Sequence, residues 1–367
     1  SRGLGDVYKR QGGSFDEPND PNRGDVHYWE VWHGNKPFSE YRKYFFRYAS
    51  EFGFQSFPSV KTLETVTDDP KELNPFSYVM EKHQRNYGGN GKIAKYMQAA
   101  YRYPENFSDF VYASQLLQAD GIRYGVEHYR RNRGRCMGAI YWQLNDCWPV
   151  ISWSSIDYYG RWKALHYYAK RFFAPVMLSC EEQSWMTVEA DMNRQHFEFE
   201  KSIRLNVTNE TLDAHRVLVK WAVRKTDATI LREEEQWLEV PVLSAVWMDK
   251  VELPQIDCFN EYVSYEAWEN DQIISQGTVI FSYPKYFHYL NPGLAVRVDG
   301  DEIVVKAEAY AKSVEIRNEN DDLILEDNYF DMNAGEYRVK ILDGKPDGLK
   351  VRSVYDCLLY TSPSPRD

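Results

Sequence analysis

The spacing of apolar residues changes once along this chain, near Pro175, and that change limits the possible folds more than any other feature. Before it, Phe110, Ala113, Leu117 and Tyr124 recur at helical spacing and predict a helix over 108–132. Trp162, Leu165, Ala169 and Phe172 predict a second over 161–173. After it, apolar and polar residues alternate over 185–190, 196–207, 217–224 and 261–268, the period of strands with one buried face. A connector with two prolines, 283–293, separates these from a second set of strand-like runs at 302–308, 313–317, 323–325 and 335–342. With 367 residues the chain can bury several cores. The expected class is α/β followed by all-β, an α/β segment leading into two β-sandwiches.

Within the α/β segment two stretches read as strands, 48–51 and 136–145. Between them, 62–103 is polar and helical in pattern, broken by Pro70, Pro75 and the Gly88-Gly89 pair. Strict alternation over 48–51 would put Ala49 and Glu51 on one face and Tyr48 and Ser50 on the other. Arg130, Arg131, Arg133 and Arg135 close the long helix, where cations complement the backbone dipole. The triplets starting at Asn106, Asn206 and Asn209 match the N-glycosylation pattern, which is also common by chance.

Glu51 carries the chemistry. It ends an aromatic-rich run, in SEFGFQSFPS, where desolvation makes a carboxylate costly unless donors, a cation or a reaction employ it. The tract GAIYWQLNDCWPVISWSSIDYYGRWKALHYYAKRFF, residues 138–173, interleaves Trp and Tyr with amide and acidic side chains. That mixture suits a sugar, whose apolar faces stack on rings and whose hydroxyls need directional partners. These two tracts resemble the β-mannosidases of glycoside hydrolase family 2, and the stretch Glu326-Asp327-Asn328-Tyr329-Phe330-Asp331 resembles that family's terminal immunoglobulin-like domain.

The resemblance implies the C-terminal part of a (β/α)8 TIM barrel over 12–175, an immunoglobulin-like sandwich over 176–283 and a second immunoglobulin-like domain over 284–356. It makes Glu51 the nucleophile of a retaining hydrolysis of terminal non-reducing β-D-mannose. Trp142 becomes the platform for the sugar, with Tyr28, Trp32 and His33 of the GDVHYWEVWHG loop lining the same pocket and Asn145 and Asp146 available to its hydroxyls. Turn-fixing is the competing reading for that last pair. A retaining enzyme needs a second carboxylate about 5–5.5 Å from the first. In the resembled family it lies in an Asn-Glu pair upstream, and no such pair precedes Glu51 here, so the chain by itself is expected to be inactive. The alternatives are another family 2 exo-glycosidase, an exo-β-glucosaminidase or β-galactosidase, and a carbohydrate-binding β-sandwich module.

Both ends, 1–11 and 357–367, read as non-native segments, so the compartment stays open among periplasmic, secreted and cytoplasmic. A formal net charge of -11 disfavours nucleic acid and anionic membrane as partners and suits a neutral β-mannoside oligosaccharide or glycoconjugate. No apolar run is long enough to span a bilayer. The 5 cysteines lack metal-site or disulfide spacing and read as free thiols; no metal or cofactor is expected. Sequence gives no oligomeric state.

Overall fold

Three short strands pair in parallel at the start of the fold: β1 (Val26–His27), β2 (Ala49–Phe52) and β3 (Ala139–Tyr141), in that order. The structure is a computed structural model describing residues 19–188 and 198–358. Parallel neighbours require long crossovers. That between β2 and β3 contains helix α1 (Gly89–Ala100) and the 25-residue helix α2 (Phe107–Arg131); α3 (Ala164–Phe172) follows β3. Asn106 caps α2, its side chain accepting from the Asp109 N–H, and so satisfies one of the orphan donors of the first turn. The ring of Phe52 lies between Tyr41 and Tyr129, fully buried, a burial contributing about 1.5–3 kcal/mol. Gly125 of α2 permits this approach, since a Cβ there would sit 2.8 Å from Phe52 Cε2.

Two elements are shorter than their patterns predict. The strand expected over 136–145 pairs regularly only at Ala139–Tyr141. Trp142 still donates its N–H to Phe52 O at 2.7 Å, but Gln143 then turns to bond Trp153 O at 3.0 Å. The helix expected from residue 161 begins at Ala164, because the backbone N–H of Arg161 is held by the Asp157 carboxylate.

The first β unit is a sandwich. One sheet runs β4 (Val176–Gln183), β5 (Ser202–Asn209), β8 (Ser244–Trp247), with β9 (Val251–Glu252) also on β5. The other runs in the order β11 (Gln272–Ile280), β10 (Glu261–Glu269), β6 (His215–Lys225), β7 (Ile230–Val240). Leu178, Ile203, Leu205 and Val207 face Val217, Val219, Val263 and Tyr265 in a shared core, as alternation requires. The run at 185–190 is not a strand over its described part: Trp185–Thr187 form a 3-10 turn, with Ser184 and Thr187 capping each other reciprocally. Residues 189–190 and 196–197 of the expected strands lie outside the described residues.

The terminal unit packs the sheet β12 (Ala295–Asp299), β13 (Glu302–Ala307), β17 (Gly335–Asp343), β15 (Ile324–Leu325) against β16 (Phe330–Met332), β14 (Ala311–Arg317), β18 (Lys350–Arg352). A short helix, Val354–Leu358, follows, and its Cys357 is buried.

Polar clasps join the α/β segment to the first sandwich. Glu182 of β4 accepts from Arg42 at 2.8 Å and from the Tyr124 hydroxyl of α2. The arginines closing α2 do more than offset its dipole: Arg130 donates to Phe172 O, Arg131 to Cys180 O, Arg133 to Glu210 and Leu243 O, and Arg135 to Phe45 O. Of the three Asn-X-Ser/Thr sites, Asn206 and Asn209 are fully buried within β5, closed to a glycan in the folded chain.

Candidate active site

Glu51 stands at the C-terminal end of β2, where that strand is irregular. Ala49 pairs with Ala139 and Phe52 with Tyr141, so three residue steps of β2 span two of β3. This bulge lets Ala49 and Phe52 both face the helices, and Ser50 and Glu51 between them stay partly exposed. The expected sharing of one face by Ala49 and Glu51 therefore fails, because the extra residue resets the alternation and turns Glu51 away from the core.

One carboxylate oxygen of Glu51 is fixed. Trp29 Nε1 donates to Oε1 at 3.0 Å and His27 Nδ1 lies 3.8 Å from the same atom; the Glu51 side chain is 21% exposed. An indole N–H can only donate, so this contact orients the carboxylate as an acceptor. The backbone of Glu51 is held as well, its carbonyl accepting from Tyr28 N at 2.7 Å. Gly53 follows at a crossing of chains: a Cβ there would lie 2.4 Å from Trp142 O and 3.0 Å from both Trp29 and Trp153. Only glycine lets β3 and the two indoles close around the strand end.

Trp142 is 45% exposed at the end of β3, on the strand adjacent to Glu51. Asn145, in the loop that follows, is exposed. Asp146 is not open to a ligand. It is buried, accepting from the hydroxyls of Ser152 at 2.7 Å and Ser154 at 2.5 Å and from Gln143 Nε2 at 3.2 Å, so it braces the loop after β3. Lys163, buried beneath the same loops, donates to Ser56 O and Ser152 O and thus ties the segment after β2 to that after β3. Burial pulls its ammonium down to about 8, against the opposing pull of Asp146 and Asp157.

The GDVHYWEVWHG loop divides differently from expectation. Tyr28 packs among Tyr41, Tyr44 and Phe46, and Trp32 is fully buried against Phe54 and Trp153, so both belong to the core and neither lines an open pocket. His33 is exposed with its ring 5.2 Å from Trp29. The residues that reach Glu51 are His27 and Trp29, which were not singled out from sequence. The signal was there: Val26 and Tyr28 alternate inward from β1, which turns His27 and Trp29 to the other side. Of the acidic residues before it, Asp25 accepts from the Ser50 hydroxyl and Glu40 pairs with Lys43.

The chain thus joins a parallel α/β segment, with a carboxylate at a strand end, to two β units. Comparison with known proteins narrows this. Residues 201–286 match the family described as Mannosidase Ig/CBM-like domain and residues 289–357 match an Ig-fold domain family. The chain is 30% identical to β-mannosidase B of Thermothelomyces thermophilus, over 92% of this chain and 42% of the relative. The crystal structure of a β-D-mannosidase from Dictyoglomus thermophilum superposes with a TM-score of 0.80 at 27% identity, covering 94% of this chain and 41% of that one. An exo-chitosanase from Amycolatopsis orientalis shares the fold alone, at a TM-score of 0.58 and 17% identity over 83% of this chain and 42% of that one. Over most of its own length the chain is therefore similar to β-mannosidases. It spans less than half the length of the curated relatives it matches over most of its own length.

Proposed function

We propose that this chain supplies the nucleophile half of a retaining β-mannosidase, with Glu51 attacking the anomeric carbon of a terminal non-reducing β-D-mannose. The observation that carries this reading is the bulge at β2. It delivers a carboxylate to the C-terminal end of a parallel strand, with one oxygen held by Trp29 and an exposed indole, Trp142, on the adjacent strand. Active sites of (β/α)8 barrels form at that end of the strands. On this reading the parallel segment, 12–175, is the last part of such a barrel, and 176–283 and 284–356 are its two trailing immunoglobulin-like domains.

The chemistry follows from the geometry. With Oε1 occupied by the Trp29 N–H, Oε2 is the atom free to form the glycosyl ester, which water later opens. The leaving oxygen must be protonated by a second carboxylic acid. Trp142 stacks on the sugar face and Asn145 serves its hydroxyls, while Asp146 and Lys163 hold the loop that presents them.

The test is a chimera in which this chain replaces the matching part of the Dictyoglomus relative, assayed on an aryl β-mannoside. Glu51→Gln should lower kcat on the order of 10^4-fold. Labelling of Glu51 by a 2-deoxy-2-fluoro mannoside should identify the covalent intermediate, and labelling elsewhere sinks the assignment. The unfused chain should show no turnover. Faster hydrolysis of the β-glucosaminide or β-galactoside than of the β-mannoside would favour a different family 2 specificity.

A further inference from the structure

The outer face of the sheet β11-β10-β6-β7 is not a uniformly polar surface. Register places Trp237 opposite Leu218, Leu218 opposite Trp268, and Trp268 opposite Ile273, so one apolar row crosses all four strands on the side away from the core. Trp237 is 55% exposed and Ile273 is also exposed, with Leu218 and Trp268 half-buried between them. Strands lie about 4.8 Å apart, which puts the two tryptophans about 10 Å from each other. Both indoles are steadied: the Arg216 guanidinium lies 4.7 Å from the Trp237 ring, Lys220 Nζ lies 5.2 Å from the Trp268 ring, and Trp268 Nε1 donates to Glu266 at 2.9 Å.

The other end of this face is already covered. Tyr262 stacks on Tyr310 of the terminal unit at 3.9 Å, and Gln276 donates to the Tyr337 hydroxyl. The tryptophan end has no such cover among the described residues. A solvated sheet face normally reads as polar. Here the rows flanking the apolar one do so: Arg216 pairs with Glu239 at 3.2 Å and Lys220 with Glu235 at 3.7 Å. Beside the row lies a depression of about 440 Å³ lined by Lys220, Arg224, Glu233, Glu235, Ser264 and Glu266.

From this we propose that the Trp237–Leu218–Trp268–Ile273 row is a binding site for a linear, neutral oligosaccharide, separate from Glu51. The ring faces take the C–H faces of sugars, and the carboxylates and the serine of the flanking rows take hydroxyls. The charges favour a neutral ligand. Cations in the flanking rows are paired, and the depression carries more acids than bases, so it repels polyanions. The straightness of the row across four strands calls for an extended chain of several sugar units. None of this depends on the role of Glu51.

Affinity electrophoresis of the full chain through gels containing soluble glucomannan, with mannohexaose calorimetry alongside, tests the site. The chain should be retarded. Trp237→Ala, at a position exposed enough to leave the fold intact, should weaken binding about fivefold or more, and Trp268→Phe should weaken it less. Trp142→Ala should keep the retardation that Trp237→Ala removes. Binding lost with Trp142→Ala but kept with Trp237→Ala would place it at the Glu51 site and overturn the proposal. So would absence of retardation by glucomannan, xylan and soluble glucan alike, or salt-sensitive retention by chitosan oligomers in preference to neutral ones.

Discussion

Trp29 and His128 show how much a single side chain can decide in this molecule. Trp29 holds Glu51 by one hydrogen bond to a carboxylate, an interaction worth about 1.5–3 kcal/mol. In the active chimera, Trp29→Phe keeps the ring and removes the donor, and kcat should fall roughly 10- to 100-fold with little change in KM. A change confined to KM would mean that Trp29 binds sugar and does not orient Glu51. His128 on α2 is buried against Phe45 and Tyr129, with Nε2 2.9 Å from Tyr44 O. Burial, reinforced by Arg131, pushes its imidazole down to about 3, so it is neutral in the folded chain and donates to that carbonyl. The unfolded chain takes up this proton near pH 6.5 and the folded chain only near 3. Its contribution is therefore complete above about pH 6.5 and declines as pH falls, by about 1.4 kcal/mol per pH unit. Urea midpoints between pH 7 and 4.5 should fall more steeply for the parent chain than for His128→Gln; equal slopes would refute this.

At the scale of elements, the site depends on how closely β2 and β3 approach. Gly53→Ala would force a Cβ to within 2.4 Å of the backbone carbonyl of Trp142, which cannot rotate away, and should cost about 1–3 kcal/mol. Gly91→Ala is the control. That position in α1 has nothing within 4 Å of the new Cβ, so the change should stabilise by about 0.4–1 kcal/mol in the same thermal melt. A neutral Gly53→Ala would show that β3 can slide on β2. This closeness marks where sequence was legible and where it was not. The long helix was readable to within a residue because Phe110, Ala113, Leu117 and Tyr124 all face one core. The sandwich strand at 217–224 was readable because it has one wet and one dry face, and that at 261–268 because Val263, Tyr265 and Ala267 alternate into the core. Glu51 was legible as a carboxylate that needed employment. Its facing was not, because a bulge depends on pairing with a strand about ninety residues away. Tyr28 and Trp32 misled because aromatic density alone does not separate a pocket wall from a core: Tyr28 follows the inward parity of Val26, whereas Trp32 lies in the turn after β1, where Val31 and Trp32 are both fully buried.

For the whole molecule, the stretch Glu326-Asp327-Asn328-Tyr329-Phe330-Asp331, noticed first as a family likeness, is where the three units meet. Asp327 pairs with Arg171 of α3, Asn328 bonds both N–H and C=O of Ile316, and Tyr329 donates to Glu315. Asp331 accepts from Ser313 N at 2.8 Å, from Lys312 at 3.3 Å and from the Thr278 hydroxyl of the first sandwich. Burial alone would raise the Asp331 carboxyl, but Lys312 and these donors hold it below its ordinary value. Glu182, which ties β4 to the α/β segment, is likewise lowered against its burial, by Arg42 and Tyr124. Groups depressed in the folded state contribute stability above their unfolded values, near 3.8 and 4.5, and lose it as pH falls further. Acid should therefore loosen the junctions between units as Asp331 and Glu182 take up protons, along with any general effect on the cores. Asp331→Asn leaves Lys312 buried without its partner and should cost about 3–5 kcal/mol at neutral pH. That loss should appear as terminal-unit release, an earlier melting step and faster proteolysis in the connector at 283–293, with the 176–283 sandwich still folded. A single unshifted transition in the Asp331→Asn chain would mean that the terminal unit is held by its apolar contacts alone and that this motif does not couple the units.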